Sequence, residues 1–186
     1  MEYMNQLIDD DVQNNSAWNQ RWLSTHRGKT RNTPLSLDLA WTEADYAIEI
    51  TTIDPYDDSP LRYLVALVKE QNNNNSSNSD DNNNNNNEAS MSEGNDGDKN
   101  FVSLLRHVKN EIESLHNSWK GFHESAPLMG AYIDLLEMKV NHDDLSSLQK
   151  AITMANDLGM TFDIVWKKYW LMREERLRQK VLNLGE

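Results

Sequence analysis

Three clusters in this sequence bring together side chains that could hold a cation or move a proton. The first is Asp9-Asp10-Asp11. Its carboxylates could take a divalent ion, but consecutive residues on a helix diverge and do not converge on one ion. The run therefore reads as an acidic helix end. The second, His142-Asp143-Asp144, could serve metal or acid–base chemistry. It stands directly before an apolar-periodic segment starting at Leu145, where an Asp is expected to cap the helix. The third, His123-Glu124, lacks the second His that a zinc-binding helix supplies at the correct spacing. His26, His107 and His116 are isolated, and the last two do not share a three- or four-residue spacing. The sequence has no Gly-rich phosphate loop and no Gly-x-Ser-x-Gly. No catalytic, metal-ligating or cofactor-binding residue is expected in this chain.

The octet Asn14-Asn15-Ser16-Ala17-Trp18-Asn19-Gln20-Arg21 says more. Ser16 is expected to cap a helix by accepting from free backbone N–H groups. Trp18 is its packing knob, and Arg21 lies beside it, because residues three apart are helical neighbours. Trp22, four beyond Trp18, extends the same face. The two tryptophans could form a platform for an apolar ligand, but a core role between helices is the expected one. Asn14, Asn15, Asn19 and Arg21 are candidates for a partner interface, where Arg could pair bidentately with a carboxylate. An intramolecular bond from Arg21 to the neighbouring hairpin is the equal alternative.

These side chains must be positioned by helices. Leu37, Trp41, Ala44 and Ile48 make one apolar stripe, with Thr33-Pro34 as a start signal. Phe101, Leu105, Val108, Ile112, Leu115 and Trp119 make a second, and Leu145, Leu148, Ile152, Ala155 and Leu158 a third, ended by Gly159. Phe162, Val165, Tyr169 and Met172 are read as the inward stripe of a last helix. From Arg173 onward this helix is charged, and Arg173-Glu174-Glu175-Arg176 is read as a solvated face. No segment alternates in the manner of a strand, so an all-α fold is predicted. Ser16, Ser59 and Ser125 each precede an aromatic-bearing helix, with Tyr63 and Tyr132 following the latter two. A recurrence near 35–45 residues points to an α-α superhelix, a solenoid of helical hairpins. Residues 1–70 and 101–186 would form the hairpins. Residues 71–100, rich in Asn, cannot bury enough apolar surface to offset their ordering entropy and are expected to be a disordered insert.

The net charge of −12 disfavours a nucleic-acid or anionic-membrane partner. The absence of cysteine excludes disulfides and thiolate metal ligands. No apolar run is long enough for a membrane span, and the start of the chain does not look like a signal peptide. A cytoplasmic location is expected.

The octet resembles the repeat motif of protein prenyltransferase alpha subunits. Its Asn-Asn-Ser-x-Trp-Asn-Gln-Arg form is most similar to the alpha-subunit family shared by farnesyltransferase and geranylgeranyltransferase type I. Residues 1–23 resemble one repeat and 37–69 the next, with its octet degraded to Asp57-Asp58-Ser59-Pro60-Leu61-Arg62-Tyr63-Leu64. Ser125-Ala126-Pro127, Lys150-Ala151-Ile152 and Trp166-Lys167-Lys168-Tyr169-Trp170 look like later helices of the family. The resemblance implies a noncatalytic subunit that wraps a beta subunit to form a heterodimer. That holoenzyme would transfer a farnesyl or geranylgeranyl group to a Cys near a target protein's C-terminus. Zinc would belong to the beta subunit, with magnesium also serving the holoenzyme. Nothing here matches the family's Lys, Tyr and His near the isoprenoid diphosphate; at the Tyr-His positions stand Asn15 and Ser16. The resemblance therefore implies a C-terminal portion lacking earlier repeats, poorly soluble without a partner. The alternatives are an α-solenoid scaffold without an enzymatic partner, or a Rab geranylgeranyltransferase alpha subunit.

Overall fold

The computed structural model describes residues 2–27, 35–77, 100–118, 125–138 and 145–184. Among these the secondary structure is helical throughout: α1 (Glu2–Asp10), α2 (Asn15–Thr25), α3 (Leu37–Ile53), α4 (Asp58–Ser77), α5 (Phe101–Ser118), α6 (Ala126–Leu136), α7 (Leu145–Asp157) and α8 (Lys167–Leu184). A π-helical turn (Leu158–Phe162) and a 3₁₀ turn (Ile164–Trp166) join the last two. Consecutive helices pack as hairpins, α1 on α2, α3 on α4, α5 on α6 and α7 on α8. The pairs then stack. One layer carries α2 on α4 and α4 on α6; the other carries α3 on α5. This is the all-α arrangement of helical hairpins that the periodicity predicts.

One apolar cluster runs through the whole stack, from Ile8 to Leu177. Its chemistry follows from the stripes. Ala40, Ala44 and Ala47 of α3 are fully buried, so this helix turns a small-residue side inward. Leu104, Leu105, Val108 and Ile112 of α5 are fully buried, as their spacing requires. Tyr132 lies inside on α6, where Lys150 donates to its hydroxyl at 2.9 Å and to Glu113 at 2.5 Å. That donated bond holds the Glu113 carboxyl below its ordinary range, while burial pushes the Tyr132 hydroxyl up.

The helix starts differ from the sequence reading in two of three cases. Asn14, not Ser16, caps α2, its Oδ1 accepting from Ala17 N at 3.1 Å; Ser16 sits exposed in the first turn. Asp57, not Ser59, receives the free N–H at the start of α4, from Ser59 N at 2.9 Å. In both places an Asx side chain two positions earlier takes a free donor, and the helix starts before the serine. Ser125 does cap α6. It accepts from Leu128 N at 3.2 Å and donates to Pro55 O at 2.7 Å, tying α6 to the α3–α4 turn. Gly159 is also not a left-handed cap. The chain widens there into the π turn, closed by Asp163 N donating to Leu158 O at 2.8 Å. Its missing side chain serves packing: a Cβ at Gly159 would meet Trp170 Cβ at 3.2 Å. Helix α4 runs seven residues into the Asn-rich stretch, and Gln71 is buried there with its Nε2 donating to Leu35 O at 3.1 Å. Residues 78–99 of that stretch lie outside the described residues, as do Thr33-Pro34, Trp119, His123-Glu124 and His142-Asp143-Asp144.

A candidate partner-binding groove

The octet's side chains are mostly turned inward. Trp18 is 2% exposed, and its Nε1 donates to Val12 O at 3.1 Å. Its ring packs on Tyr46 and Tyr63 at 5.8 and 5.2 Å between centroids. Trp22 meets Tyr63 edge-on and stacks on His26 at 4.2 Å. The two tryptophans are thus glue between the first two hairpins. Arg21 is 4% exposed. Its Nε and Nη2 hold the two Glu43 oxygens at 2.6 and 3.0 Å, Nη1 reaches Asn5, and its guanidinium lies 3.7 Å over the Tyr46 ring. Tyr63 donates to Glu43 at 2.5 Å, and burial together with that carboxylate drives its hydroxyl pKa well up. The Arg21 partner is therefore the neighbouring hairpin, and the guanidinium has no surface left to offer another chain. Of the other partner-interface candidates, Asn14 is half-buried and occupied as a cap, whereas Asn15 and Asn19 stay exposed on α2.

The same construction recurs at the other end of the stack. Trp170 is buried, donates its Nε1 to Asp163 Oδ2 at 2.8 Å, and is followed three residues later by a buried Arg. Arg173 pairs with Asp134 of α6 and, at 2.7 Å, with Glu137 that caps its end, and donates to the Tyr169 hydroxyl at 3.1 Å. Lys180 also reaches Glu137, at 2.7 Å. Burial works against charge on Glu137, but the bonds from Lys180 and Arg173 outweigh it and hold the carboxyl below its ordinary value. Burial likewise opposes charge on Arg173, and Asp134 and Glu137 more than offset it, raising the guanidinium further. The run at 173–176 is thus not a solvated face. Arg173 and Glu174 are buried, and only Glu175 and Arg176 are exposed. The shared Trp-x-x-Arg spacing, Trp18 to Arg21 and Trp170 to Arg173, is the signal in the sequence that could have placed Arg173 inside.

What this second anchor supports is a groove of about 610 Å³ between α4, α6 and the start of α8. Its floor is Leu61, Val65 and Ala66 with Ala126, Gly130 and Ala131; its wall is Trp166, Tyr169 and Trp170. Gly130 matters to the shape, because a Cβ there would meet Trp170 Cη2 at 3.2 Å. Most of the groove's charges are held by partners within the chain. Arg62 pairs with Asp58, Lys69 with Asp134 at 3.0 Å, and Asp163 accepts from Trp170. The residues expected to form the inward stripe of the last helix lie at or beyond this rim instead. Val165 is 90% exposed, Met172 65%, and Phe162 and Tyr169 are also open to solvent. The π and 3₁₀ turns cause this. They rotate the helical register after Asp157, so that Trp170, Arg173 and Leu177 face the core in place of the expected set.

Chemically the groove offers apolar and aromatic surface with neutralised rims. Among the described residues, no group of three or more His, Cys, Asp or Glu side chains could hold a metal ion. No helix among them is long and apolar enough to cross a membrane. Comparison with family models and with curated proteins finds no match to this chain.

Proposed function

We propose that the chain holds another polypeptide in this groove, as the noncatalytic alpha-type subunit of a heterodimeric protein prenyltransferase. The observation that carries the first half is the groove itself, whose apolar floor and partly exposed aromatic wall stand with Arg62, Lys69 and Arg173 ion-paired and Asp163 taken up by the Trp170 indole. Exposed apolar patches of this kind mark protein interaction sites. The second half rests on the octet at residues 14–21 and on the order of the later matches. In this reading a beta subunit carries the zinc, which lowers the pKa of the acceptor thiol. The present chain contributes surface and stability, and the complex works in the cytoplasm. Farnesyl or geranylgeranyl transfer to a C-terminal-region Cys would be the holoenzyme's reaction.

The experiment is co-expression with a prenyltransferase beta subunit, followed by copurification. A stoichiometric complex is expected, and Ala66→Arg, which places a charge on the groove floor, should abolish it. Prenyl transfer should need both chains. Capture of the beta subunit with equal yield by Ala66→Arg would place the contact elsewhere. If no complex forms, the scaffold reading without an enzymatic partner takes precedence.

A further inference from the structure

We infer that copies of this chain associate head to tail, α1 of one copy against the outer face of α8 of the next. The two helices are charged against their own dipoles. α1 ends in Asp9 and Asp10, followed by Asp11, and has no base in its last turn. α8 begins with Lys167 and Lys168 and has no acid in its first turn. Acids at a helix C-terminus and bases at an N-terminus are each unfavourable by a few tenths to about 1 kcal/mol. Asp9, Asp10, Lys167 and Lys168 are exposed and make no ion pair among the described residues.

The faces also match. On α1 the exposed side is Glu2, Tyr3, Gln6, Asp9 and Asp10, with Tyr3 69% exposed. On α8 it is Lys168, Met172, Glu175, Arg176 and Gln179, reached through Val165. Glu2 and Asp10 are eight positions apart, and so are Lys168 and Arg176, which is roughly 12 Å along each helix. Laid antiparallel, Asp10 meets Lys168 and Glu2 meets Arg176, with Tyr3 and Met172 covered between them. The one acid on the α8 face, Glu175, already accepts from Gln179 at 2.9 Å. The whole of α8 carries six bases against two acids, in a chain of net charge −12. Repeated head to tail the contact is heterologous, and it builds a ring where its rotation closes and an open chain where it does not.

Sedimentation of the 186-residue chain against concentration tests this. The mean mass should rise past that of a dimer at low salt, and fall toward the monomer when salt shortens the screening distance to ~3 Å. Lys168→Glu and Asp10→Lys should each weaken association at least ~10-fold, since like charges then face each other. Both reversals favour their own helix dipole, so helicity should be kept in each. Mixed together, the two variants should regain chain growth in alternation, because every contact between unlike variants brings opposite charges together, the parent pair at one and the swapped pair at the next. The double variant in one chain should regain the concentration dependence. A monomer at all concentrations, a closed dimer, or assembly indifferent to Lys168→Glu would overturn the inference. The groove variant Ala66→Arg should assemble as the parent does, which separates this contact from capture of a beta subunit.

Discussion

The molecule has two Trp pairs of the same spacing, Trp18 with Trp22 and Trp166 with Trp170, and they end up in different surroundings. In the first pair both rings are packed between hairpins, and the Arg that follows is sealed under Tyr46. In the second, Trp170 repeats the buried role down to its indole hydrogen bond and its following Arg, but Trp166 is 63% exposed. One end of the stack is closed over its anchor. The other keeps an aromatic wall open above an apolar floor. The difference teaches that the anchor motif builds the hairpin, while the turn geometry before it decides how much aromatic surface remains for a partner.

The largest effect should fall on the closed end. Arg21→Ala leaves Glu43 buried without a counter-charge, which costs about 3–5 kcal/mol for a fully buried pair. Trp18→Ala should cost a similar amount, about 3–5 kcal/mol, through lost contacts and the cavity left behind. Chemical denaturation reads both, and losses under ~1 kcal/mol would mean that the first two hairpins are not joined through this cluster. Arg173→Ala at the open end should cost less, about 1–3 kcal/mol, because Asp134 keeps Lys69 and Glu137 keeps Lys180.

pH separates the two ends further. Glu137 has a depressed carboxyl pKa, so its contribution is complete above its ordinary value of 4.5 and is lost as pH falls through the depressed folded value. Tyr63 has a raised pKa, so its contribution is complete below its ordinary value of 10.0 and is lost as pH rises beyond it. The acid-side loss of stability should therefore be smaller in Arg173→Ala, which removes part of the depression of Glu137, and the alkaline-side loss larger in Arg21→Ala, because Arg21 works against the rise at Tyr63. Thermal melts of both variants across the pH range check this, and identical pH profiles would contradict it. The smallest effect belongs to Trp166→Ala. It should change stability by no more than ~0.5 kcal/mol, as for other surface substitutions, while weakening capture of the proposed partner.

Much of the fold could be read from the chain. The stripes at 37–48, 101–115 and 145–158 are continuous and regular, and single continuous helices need nothing more than periodicity to be found. The last helix was misread because its register is set by two irregular turns at Leu158–Trp166, which have no periodic signature. Extending a 3.6-residue rhythm across them turned Val165 and Met172 inward, where Trp170 and Leu177 belong. The caps at Asn14 and Asp57 were missed for a related reason. Several adjacent polar residues could each accept the free donors, and only backbone geometry picks one. The groove was the least legible part. It depends on Asp134 and Glu137 meeting Arg173 across more than thirty residues, and no local spacing encodes that pairing.

Trp166 offers the most direct test that the open end is a holding surface. The fluorescence difference between the parent chain and Trp166→Phe isolates that ring. In the free chain its emission should be red-shifted and readily quenched by acrylamide. On addition of a prenyltransferase beta subunit it should shift to the blue and become shielded. A Trp166 signal already shielded in the free monomeric chain, or one still fully quenchable in a stoichiometric complex, would contradict the account.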